Sequence, residues 1–506
     1  MSGKREFGDY QTPVDFAESV CIYLKDHCNI KPSAVIDPTC GVGNFIQTAL
    51  IFDAKEYFGI EINPEYCDTC ERNINDSRVR IINSDFFAFP TNTLIHDKRQ
   101  ILVIGNPPWV TNSTLSVLGS NNLPIKTNFK GMKGIDAITG AGNFDICEYI
   151  ILQLINEYRD TNTVIAMLCK TSVARNVFKE LKRNCINFSS CDILEFDSAK
   201  VFGISASACV LLIRLSKKNV SPDFCNVYDF ENPKEVKTKL GYSEGRLYSN
   251  SNGETGCFDG HCCFEWRQGV KHDCSEIMEL TMKDGVLLNG REETVSIEDN
   301  MVFPLVKSSM FKAPVIHAFS KYVIVTQRKV REDTGHIQWE LPETWKYLND
   351  NIDVFQGRKS SIYRSAPPFS MFGVGDYSYS KYKVGVSGFY KQPRFSVLYS
   401  DNGKPVMTDD TSYFICFDNY DMAYVAMLLL NSKEVQGFLM SIAFLDAKRP
   451  YTKKILERVD FDKITASLTL EELIRTESEL NLSHYITSSM YNTFKSLLGI
   501  GQLRFA

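Results

Sequence analysis

Short apolar runs alternate with amphipathic segments from about residue 12 to residue 215, and few folds accommodate such an alternation. Each apolar run is long enough for one buried strand, and each amphipathic segment suits one covering helix. Repeated units of this kind favour a mostly parallel sheet with helices on both faces. The pattern predicts an α/β domain with strands at residues 34–37, 57–61, 80–83, 101–104, 163–169, 191–196 and 208–215.

The dipeptide Thr12-Pro13 predicts the start of the first helix. Threonine caps helix N-termini through its hydroxyl, and proline is favoured at the first helical position because its missing N–H is not needed there. Apolar residues then recur at helical spacing as far as Leu24. We therefore expect a helix with Thr12 as its N-cap.

Carboxylates follow or end the first three predicted strands. Asp37 ends the first strand, Glu61 ends the second, and Asp85 comes shortly after the third. Open α/β sheets bind ligands at the edge formed by the carboxyl ends of their strands. A polar residue at one strand end is common, but three in succession favour a site for a nucleoside-bearing cofactor.

Two glycines, Gly41 and Gly43, lie in the sequence DPTCGVGNF between the first strand and a helix predicted for residues 45–52. Glycine permits a tight turn and lets a ligand approach the backbone at a helix N-terminus. The segment lacks the third glycine of the GxGxxG fingerprint of dinucleotide sites. This favours a cofactor without a pyrophosphate over NAD.

The fourth predicted strand stops at Asn106-Pro107-Pro108-Trp109, at the same edge of the sheet. Consecutive prolines cannot continue a strand because neither has an N–H to donate. The segment offers free carbonyls, one amide side chain and one large aromatic face. These groups suit methylation of an exocyclic amine on a base. Hydrogen bonds to the Asn106 oxygen and the Pro107 carbonyl would return electron density to the nitrogen, and Trp109 would stack on the base.

In this order and spacing, the motifs over residues 7–216 resemble those of S-adenosylmethionine-dependent DNA adenine-N6 methyltransferases of the gamma class. That class usually carries Tyr or Phe where this sequence has Trp109. The resemblance implies a class I, Rossmann-like methyltransferase fold, S-adenosylmethionine as cofactor, and an adenine flipped out of double-stranded DNA as substrate. The segment GNFDICEYI resembles a further family motif.

The same resemblance implies roles for individual residues. Thr12 would lie near the methionine carboxylate of the cofactor, Asp37 would hold its ammonium group, and Glu61 would hold its ribose. In the loop KVFGISAS, Phe202 would pack against the flipped base, opposite Trp109. The remaining implied cofactor contacts are Thr39, Gly41, Gly43, Ile62, Asp85 and Phe86.

DNA binding must come from a local patch, because the net charge of the chain is −5. Residues 357–395 carry seven basic side chains and one acidic side chain, with nine aromatic residues between them. Basic side chains neutralise phosphates while aromatic and hydroxyl side chains reach bases. Together with a second basic cluster at residues 447–454, the patch predicts DNA contacts by Arg358, Lys359, Arg364, Lys381, Lys383, Lys391, Arg394, Lys448 and Arg449.

A chain of 506 residues is long enough for two or three domains. We expect a catalytic methyltransferase domain over residues 1–220 and a polar junction with an insert over residues 221–290. A mixed α+β target-recognition domain, which includes the segment VFPLVKSS, is expected over residues 291–460. The acidic residues 461–506 are expected to be helical.

Two metal sites are weak alternatives. Pro222-Asp223 followed by Glu235-Val236-Lys237 fits a degenerate nuclease motif. A group of cysteines and histidines suggests zinc but lacks paired CxxC motifs, so buried thiols are favoured and no metal is expected. That group comprises Cys257, His261, Cys262, Cys263, His272 and Cys274.

Other functions share the Asn-Pro-Pro-Trp chemistry, namely methylation of adenine in ribosomal RNA or of a protein glutamine, and a non-catalytic modification subunit would share the fold. The basic aromatic patch favours double-stranded DNA as partner, with a cognate restriction endonuclease as a candidate second partner. The oligomeric state is left open. The scattered cysteines, polar N-terminal segment and lack of long apolar runs predict a cytoplasmic protein of a bacterial or phage-infected cell, without a membrane segment.

Overall fold

The computed structural model of this chain describes residues 10–95, 100–110, 145–218, 220–249 and 257–499. The chain divides into two compact units, with the boundary between Ser251 and Asn252. Across the described ranges, no helix has both the length and the apolar character needed to cross a lipid bilayer.

Ten strands of the first unit join in a single sheet. Their bounds are β1 (Ala34–Asp37), β2 (Glu56–Glu61), β3 (Val79–Asn83), β4 (Ile101–Gly105), β5 (Thr163–Lys170), β6 (Phe188–Asp197), β7 (Ser207–Leu215), β8 (Phe224–Asp229), β9 (Asn232–Ser243) and β10 (Arg246–Ser249). The spatial order is β10-β9-β8-β6-β7-β5-β4-β1-β2-β3.

The strand order changes direction beside β1, which pairs in parallel with β2 on one side and with β4 on the other. Such a switch point opens a crevice at the carboxyl ends of the strands. Helices cover the faces of the sheet and bury their apolar sides against it. They are α1 (Val14–Ile22), α2 (Asn44–Ala49), α3 (Pro64–Asn73), α4 (Ile146–Glu157), α5 (Thr171–Arg183) and α6 (Ser198–Phe202).

The α/β prediction and all seven predicted strands are confirmed, although the sheet is less parallel than expected. The block β3-β2-β1-β4-β5 is parallel, but β7 runs antiparallel to both β5 and β6. The predicted role of Thr12 as N-cap is wrong, because α1 begins at Val14 and Pro13 occupies the capping position without a side-chain hydrogen bond.

The predicted junction over residues 221–290 also differs from the structure. Residues 224–249 form β8, β9 and β10, which extend the first sheet, so no linker begins at residue 221. Most side chains along β9 are exposed, which removes the apolar run that marks a strand in sequence. The polar composition of this strand was therefore indistinguishable from that of a loop.

Two five-stranded sheets form the framework of the second unit. The first is ordered β11 (Arg267–Gln268), β20 (Ser412–Phe417), β17 (Tyr382–Ser387), β18 (Phe395–Leu398) and β15 (Val315–Ile316). The second is ordered β13 (Val286–Leu288), β12 (Glu279–Lys283), β16 (Lys321–Ile324), β14 (Val302–Val306) and β19 (Met407–Thr408).

Helices pack around these sheets. The most buried of them spans Tyr420–Asn431, with consecutive residues 422–430 all buried. The helices are α7 (Ser275–Met278), α8 (Ile337–Glu340), α9 (Pro342–Asp350), α10 (Ile352–Gln356), α11 (Tyr420–Asn431), α12 (Lys433–Ile442), α13 (Lys453–Leu456), α14 (Phe461–Ser467), α15 (Leu470–Glu479) and α16 (Ser488–Gly499). The last three occupy the segment that the sequence predicts to be helical.

Candidate active site

The carboxyl ends of β1 and β4 bring Asp37 and the Asn106-Pro107-Pro108-Trp109 segment to one place. Gly105, the last residue of β4, lies so close to Asp37 that a Cβ atom on it would overlap Oδ1 of that carboxyl group. Glycine at position 105 is therefore what lets the two neighbouring strands present both groups at the same edge.

Replacement of Gly105 should disturb this edge. Gly105→Ala is expected to cost about 1–3 kcal/mol of stability, as overpacking of a filled site does, and to displace the Asp37 carboxyl group. Thermal unfolding measures the loss. Gly437→Ala is the matched control, because Gly437 lies inside α12 with no atom near its missing Cβ. That change is expected to stabilise by about 0.5–1 kcal/mol; equal effects of the two changes would contradict the assignment.

Asp37 is held in an unusual state. Its side chain is almost fully buried, and its Oδ1 accepts one hydrogen bond from the backbone N–H of Thr39 at 3.1 Å. Burial raises the pKa of Asp37 to about 8, and the negative charge of Glu61 adds to the increase. The carboxyl group is thus poised to ionise when a positive charge is placed beside it.

The glycine loop after β1 is tied to the end of β2. Gly41 has φ +55° and donates its N–H to Oε2 of Glu61 at 2.8 Å, while Oε1 of Glu61 accepts the N–H of Asn63, also at 2.8 Å. Gly43, with φ +88°, leads into α2. The left-handed conformation explains why glycine occupies both positions.

Residues 10–12 run across this edge and join the two loops. The carbonyl of Tyr10 accepts the Asn106 side-chain N–H at 2.8 Å, and Oε1 of Gln11 accepts the N–H of Val42 at 3.2 Å. The carbonyl of Thr12 accepts from Nδ2 of Asn44 at 2.7 Å. The segment therefore holds the catalytic candidate and the glycine loop in one fixed arrangement.

The Asn106 amide is oriented by its contact with Tyr10. Because Nδ2 donates to that carbonyl, Oδ1 is turned away from it, and this oxygen is buried. Counting partners within the described residues, Oδ1 of Asn106, Oγ1 of Thr39 and Nε1 of Trp109 are all buried without a hydrogen bond. Buried polar atoms are seldom left unpaired, so these three suit a bound molecule that pairs with them.

Three aromatic rings, those of Tyr10, Trp109 and Phe202, cluster together. The Trp109 and Phe202 ring centroids are 5.5 Å apart at 72°, and Tyr10 lies 6.2 Å from Trp109 and 6.3 Å from Phe202. A base held between two parallel ring faces would lie about 3.5 Å from each of them. The edge-to-face contact leaves no such gap, so a base can lie between Trp109 and Phe202 only after one ring moves. Phe202 ends α6 and is followed by Gly203 at φ +69°.

A partly buried ion pair holds the backbone of Trp109. Lys170, at the end of β5, donates to the Trp109 carbonyl at 3.3 Å and to Oδ2 of Asp145 at 2.6 Å. Asp145 caps α4, and the following Ile146 donates its N–H to the Val110 carbonyl at 2.9 Å. This Lys170–Asp145 clamp, as we call it, fixes the segment that follows the two prolines. Asp145 belongs to the motif GNFDICEYI, of which residues 142–144 lie outside the described part.

The residues expected at an adenine ring are less regularly arranged. Asp85 is exposed and its Oδ1 accepts the N–H of Phe87 at 2.9 Å, while Phe86 is buried. Ile62 is exposed. These three follow β2 and β3, next to the edge formed by Asp37 and Glu61. The arrangement fits S-adenosylmethionine in having a buried carboxyl group, an unpaired threonine hydroxyl and a glycine loop at one crevice.

The family model for N-6 DNA methylases matches residues 2–241. The type II methyltransferase M.NspV from Nostoc sp. (strain ATCC 29411 / PCC 7524) is 37% identical over 481 residues, which are 91% of this chain and 97% of that protein. The chain belongs to the N-6 DNA methylase family. The resemblance deduced from the motifs is thus confirmed at the level of the family, and the gamma class stays a prediction.

Two further comparisons extend this result. The type II methyltransferase M.CvrRI from Paramecium bursaria Chlorella virus XZ-6E is 24% identical over 248 residues, 49% of this chain and 55% of that protein. The structure of the type IIL restriction-modification enzyme MmeI in complex with DNA aligns with a TM-score of 0.56 and 11% identity. It covers 100% of this chain and 77% of MmeI. At that identity it shows a shared fold.

The nine residues predicted to bind DNA fall into exposed, half-buried and buried groups in this methylase. Arg449 is half-buried and donates to the Asp410 carbonyl at 3.1 Å. The side chains exposed on the second unit are Lys359, Arg364, Lys381, Lys391, Arg394 and Lys448.

One predicted DNA contact is wrong. Lys383 is 1% exposed and donates to the carbonyls of Ser378 and Ser380 at 3.0 and 2.8 Å, so its ammonium group lies inside the protein. Arg358 is half-buried, packs its guanidinium 3.8 Å from the Tyr363 ring centre and donates to the Ser370 carbonyl at 2.6 Å, and its DNA contact stays a prediction. The ammonium group of Lys383 serves the structure of the unit, which its charge alone could not reveal.

The alternative metal sites are not assembled. Within the described ranges, no group of three or more His, Cys, Asp or Glu side chains could hold a metal ion. Cys262 and Cys274 are buried and Cys257 is exposed, whereas Lys237 of the nuclease-like motif pairs with Glu195 at 2.5 Å. All sixteen cysteines are free thiols.

Several residues of the site escaped sequence reasoning. Tyr10 acts through its backbone carbonyl, and Gln11 and Asn44 act through their side chains. The Thr12-Pro13 and DPTCGVGNF motifs pointed to these regions but not to these contacts. Lys170 and Asp145 are 25 residues apart and meet only in the folded chain. The available signals were the motif GNFDICEYI, which contains Asp145, and a lysine directly after a predicted strand.

Proposed function

We propose that this protein transfers a methyl group from S-adenosylmethionine to N6 of an adenine that is flipped out of duplex DNA. It acts as a gamma-class enzyme with an Asn-Pro-Pro-Trp motif, and residues in the second unit recognise the DNA sequence. The observation that carries the proposal is that Oδ1 of Asn106, three residues before Trp109, is buried and has no hydrogen-bond partner among the described residues.

The chain's own groups explain how a weakly nucleophilic amine becomes reactive. The amide oxygen of Asn106 and the carbonyl of Pro107 accept the two N–H bonds of the base and favour a lone pair directed away from the ring. Both acceptors are uncharged, so they orient the amine, and the proton that nitrogen loses passes to water. The Trp109 face offsets the loss of base stacking in the duplex.

Cofactor binding falls to the neighbouring crevice. Asp37 would hold the cofactor's ammonium group and Glu61 its ribose, with Thr39 and the Gly41–Gly43 loop around the methionine part. S-adenosylmethionine supplies an electrophilic methyl group when bound. The two type II methyltransferases among the relatives support the further proposal that the enzyme protects DNA from a partner restriction endonuclease.

Incubation of the full-length protein with isotopically labelled S-adenosylmethionine and unmethylated plasmid tests the function. We expect label on N6 of adenine, at positions that long-read sequencing assigns to one short sequence. Label on N4 of cytosine would keep the chemistry and refute the substrate. No label on DNA, with label on ribosomal RNA or protein instead, would refute the proposal altogether.

The Lys170–Asp145 clamp should affect turnover more than binding. Lys170→Met removes the donor to the Trp109 carbonyl and leaves a buried carboxyl group without its cation. We expect kcat to fall about 10- to 100-fold, as small displacements of reacting groups do, while KM for cofactor stays unchanged. Lys170→Arg should restore part of the loss. An equal fall in kcat with the exposed Lys234→Met would show that the clamp has no positioning role. A Lys170→Arg protein that recovers no activity would show the same.

A further inference from the structure

An open cleft of about 560 Å³ lies in the second unit, and no step of the methyl transfer uses it. Its floor contains residues that follow β11, β14 and β19, and its rim includes Phe389 and Tyr390. Lys307, Ser308 and Ser309 of the floor belong to the segment VFPLVKSS. We call it the second-unit cleft.

Fixed polar groups form the floor of the second-unit cleft. Lys307 pairs with Glu279 at 2.6 Å, and the buried His272 ring lies 3.7 Å from the same carboxylate. Ser308 and Thr411 hydroxyls contact each other at 2.5 Å, which holds the Ser309 backbone in place. These mutual contacts make the floor rigid, as a surface that discriminates between ligands must be.

Other groups at the cleft remain available. In the part of the chain that the structure describes, the hydroxyls of Ser309 and Tyr390 make no hydrogen bond. Both residues are exposed, so their hydroxyls can contact a ligand. Lys307 has further N–H bonds beyond its pair with Glu279, and the Asp410 carboxylate, which lies 3.7 Å from the Arg449 guanidinium, can accept further hydrogen bonds. The cleft thus offers donors and acceptors together, which is what distinguishing the base pairs in a major groove requires.

Basic residues flank the rim of the second-unit cleft, outside its own lining, which carries the carboxylates of Asp273, Glu279, Asp409 and Asp410. The Arg449 guanidinium lies 5.2 Å from the Phe389 ring centre, and the Tyr451 hydroxyl donates to the Lys391 carbonyl at 2.8 Å, so two loops meet there. Residues 388–394 and 446–454, the latter including the start of α13, together carry one acidic residue, Asp446, and six basic ones: Lys391, Arg394, Lys448, Arg449, Lys453 and Lys454.

We propose that the second-unit cleft reads base edges of duplex DNA, with Ser309 and Tyr390 as specificity-determining residues and the basic residues that flank its rim on the phosphates. The inference rests on the proposed function and specifies which surface selects the target. A duplex fits because positive charge is concentrated beside this rim in a chain of net charge −5. Phosphates require that charge, whereas polar floor groups and exposed aromatic rings suit bases.

Binding selection from a pool of randomised duplexes, followed by sequencing of the bound fraction, tests the inference without methyl transfer. The full-length wild type is compared with Ser309→Ala and Tyr390→Phe, and the exposed Ser467→Ala is the control. We expect one or two base pairs of the selected consensus to lose preference by about tenfold in a floor variant. Lys391→Gln with Lys448→Gln should weaken binding to all sequences alike and reduce its salt dependence, unlike Lys346→Gln.

An unchanged consensus in both floor variants would overturn the inference, as would a wild type that selects no consensus. Adenine methylation is scored separately on the selected duplex. If floor variants alter the consensus while the wild type methylates no adenine, the cleft assignment stands and the proposed function fails. If the wild type methylates adenine and both floor variants select the same consensus as the wild type, the proposed function stands and the cleft assignment fails.

Discussion

Asn106→Ala is expected to lower kcat for methyl transfer at least about 100-fold, the loss seen when one preorganised hydrogen-bonding group is removed from an active site. The change deletes the buried Oδ1 that is left unpaired within the described residues. It also deletes the N–H that contacts Tyr10. Cofactor affinity should change little, because Asp37 and Glu61 remain. Single-turnover rates with the mapped duplex and calorimetric titration of cofactor measure the two effects.

Asn106→Asp separates chemistry from local structure. It keeps an acceptor oxygen and loses the N–H donor to the Tyr10 carbonyl, so more activity should survive than in Asn106→Ala. Asn349→Ala on exposed α9 controls for loss of an amide elsewhere. Full turnover in Asn106→Ala would remove the basis of the proposed mechanism.

Asp37→Asn is expected to weaken S-adenosylmethionine binding by at least about 100-fold and to raise the stability of the cofactor-free protein at pH 8. Burial holds the pKa of Asp37 at about 8, against about 3.9 in an unfolded chain. Between these values the folded state binds a proton that the unfolded state has lost. The free energy of unfolding therefore falls as pH rises from about 4 to 8. Asparagine does not ionise, so the Asp37→Asn protein does not lose this stability as pH rises.

The pH dependence of binding gives an independent check. An ammonium group favours ionised Asp37, so wild-type affinity should rise with pH between about 6 and 8, and the Asp37→Asn profile should be flat over this range. Asp350→Asn, at an exposed position on α9, is the matched control for stability and binding. A flat wild-type profile, or an Asp37→Asn protein less stable at pH 8, would contradict the role of this carboxyl group.

The fold of the first unit followed from the sequence wherever burial left an apolar run. The strands β1, β2, β4, β5, β6 and β7 are of this kind, whereas β3, at the edge of the sheet, has none of its residues buried. The sequence did not predict β9, because solvent reaches most of its side chains and its polar residues then resemble those of a loop. The prediction of Thr12 as N-cap was wrong because α1 begins one residue later than expected. The Thr12 carbonyl instead accepts a hydrogen bond from the Asn44 side chain.

The site was predictable where motifs place a residue at a strand end, as for Asp37, Glu61 and Asn106. It was unpredictable where function depends on contacts between distant segments, as for Lys170 with Asp145. Charge patterns were misleading at Lys383, because β17 is the middle strand of its sheet and is buried on both faces, so backbone carbonyls receive the N–H bonds of that side chain. The sequence shows which charged residues a segment contains, whereas the fold decides which of them solvent reaches.

The central claim is that a base amine is activated at the amide oxygen of Asn106. A structure of the full-length protein with its mapped duplex and a non-reactive cofactor analogue tests this directly. We predict an unstacked adenine whose N6 lies about 2.7–3.2 Å from Oδ1 of Asn106 and from the Pro107 carbonyl, with its ring on Trp109 and Phe202 displaced. An adenine left stacked in the duplex, or one bound away from Asn106, would contradict the account.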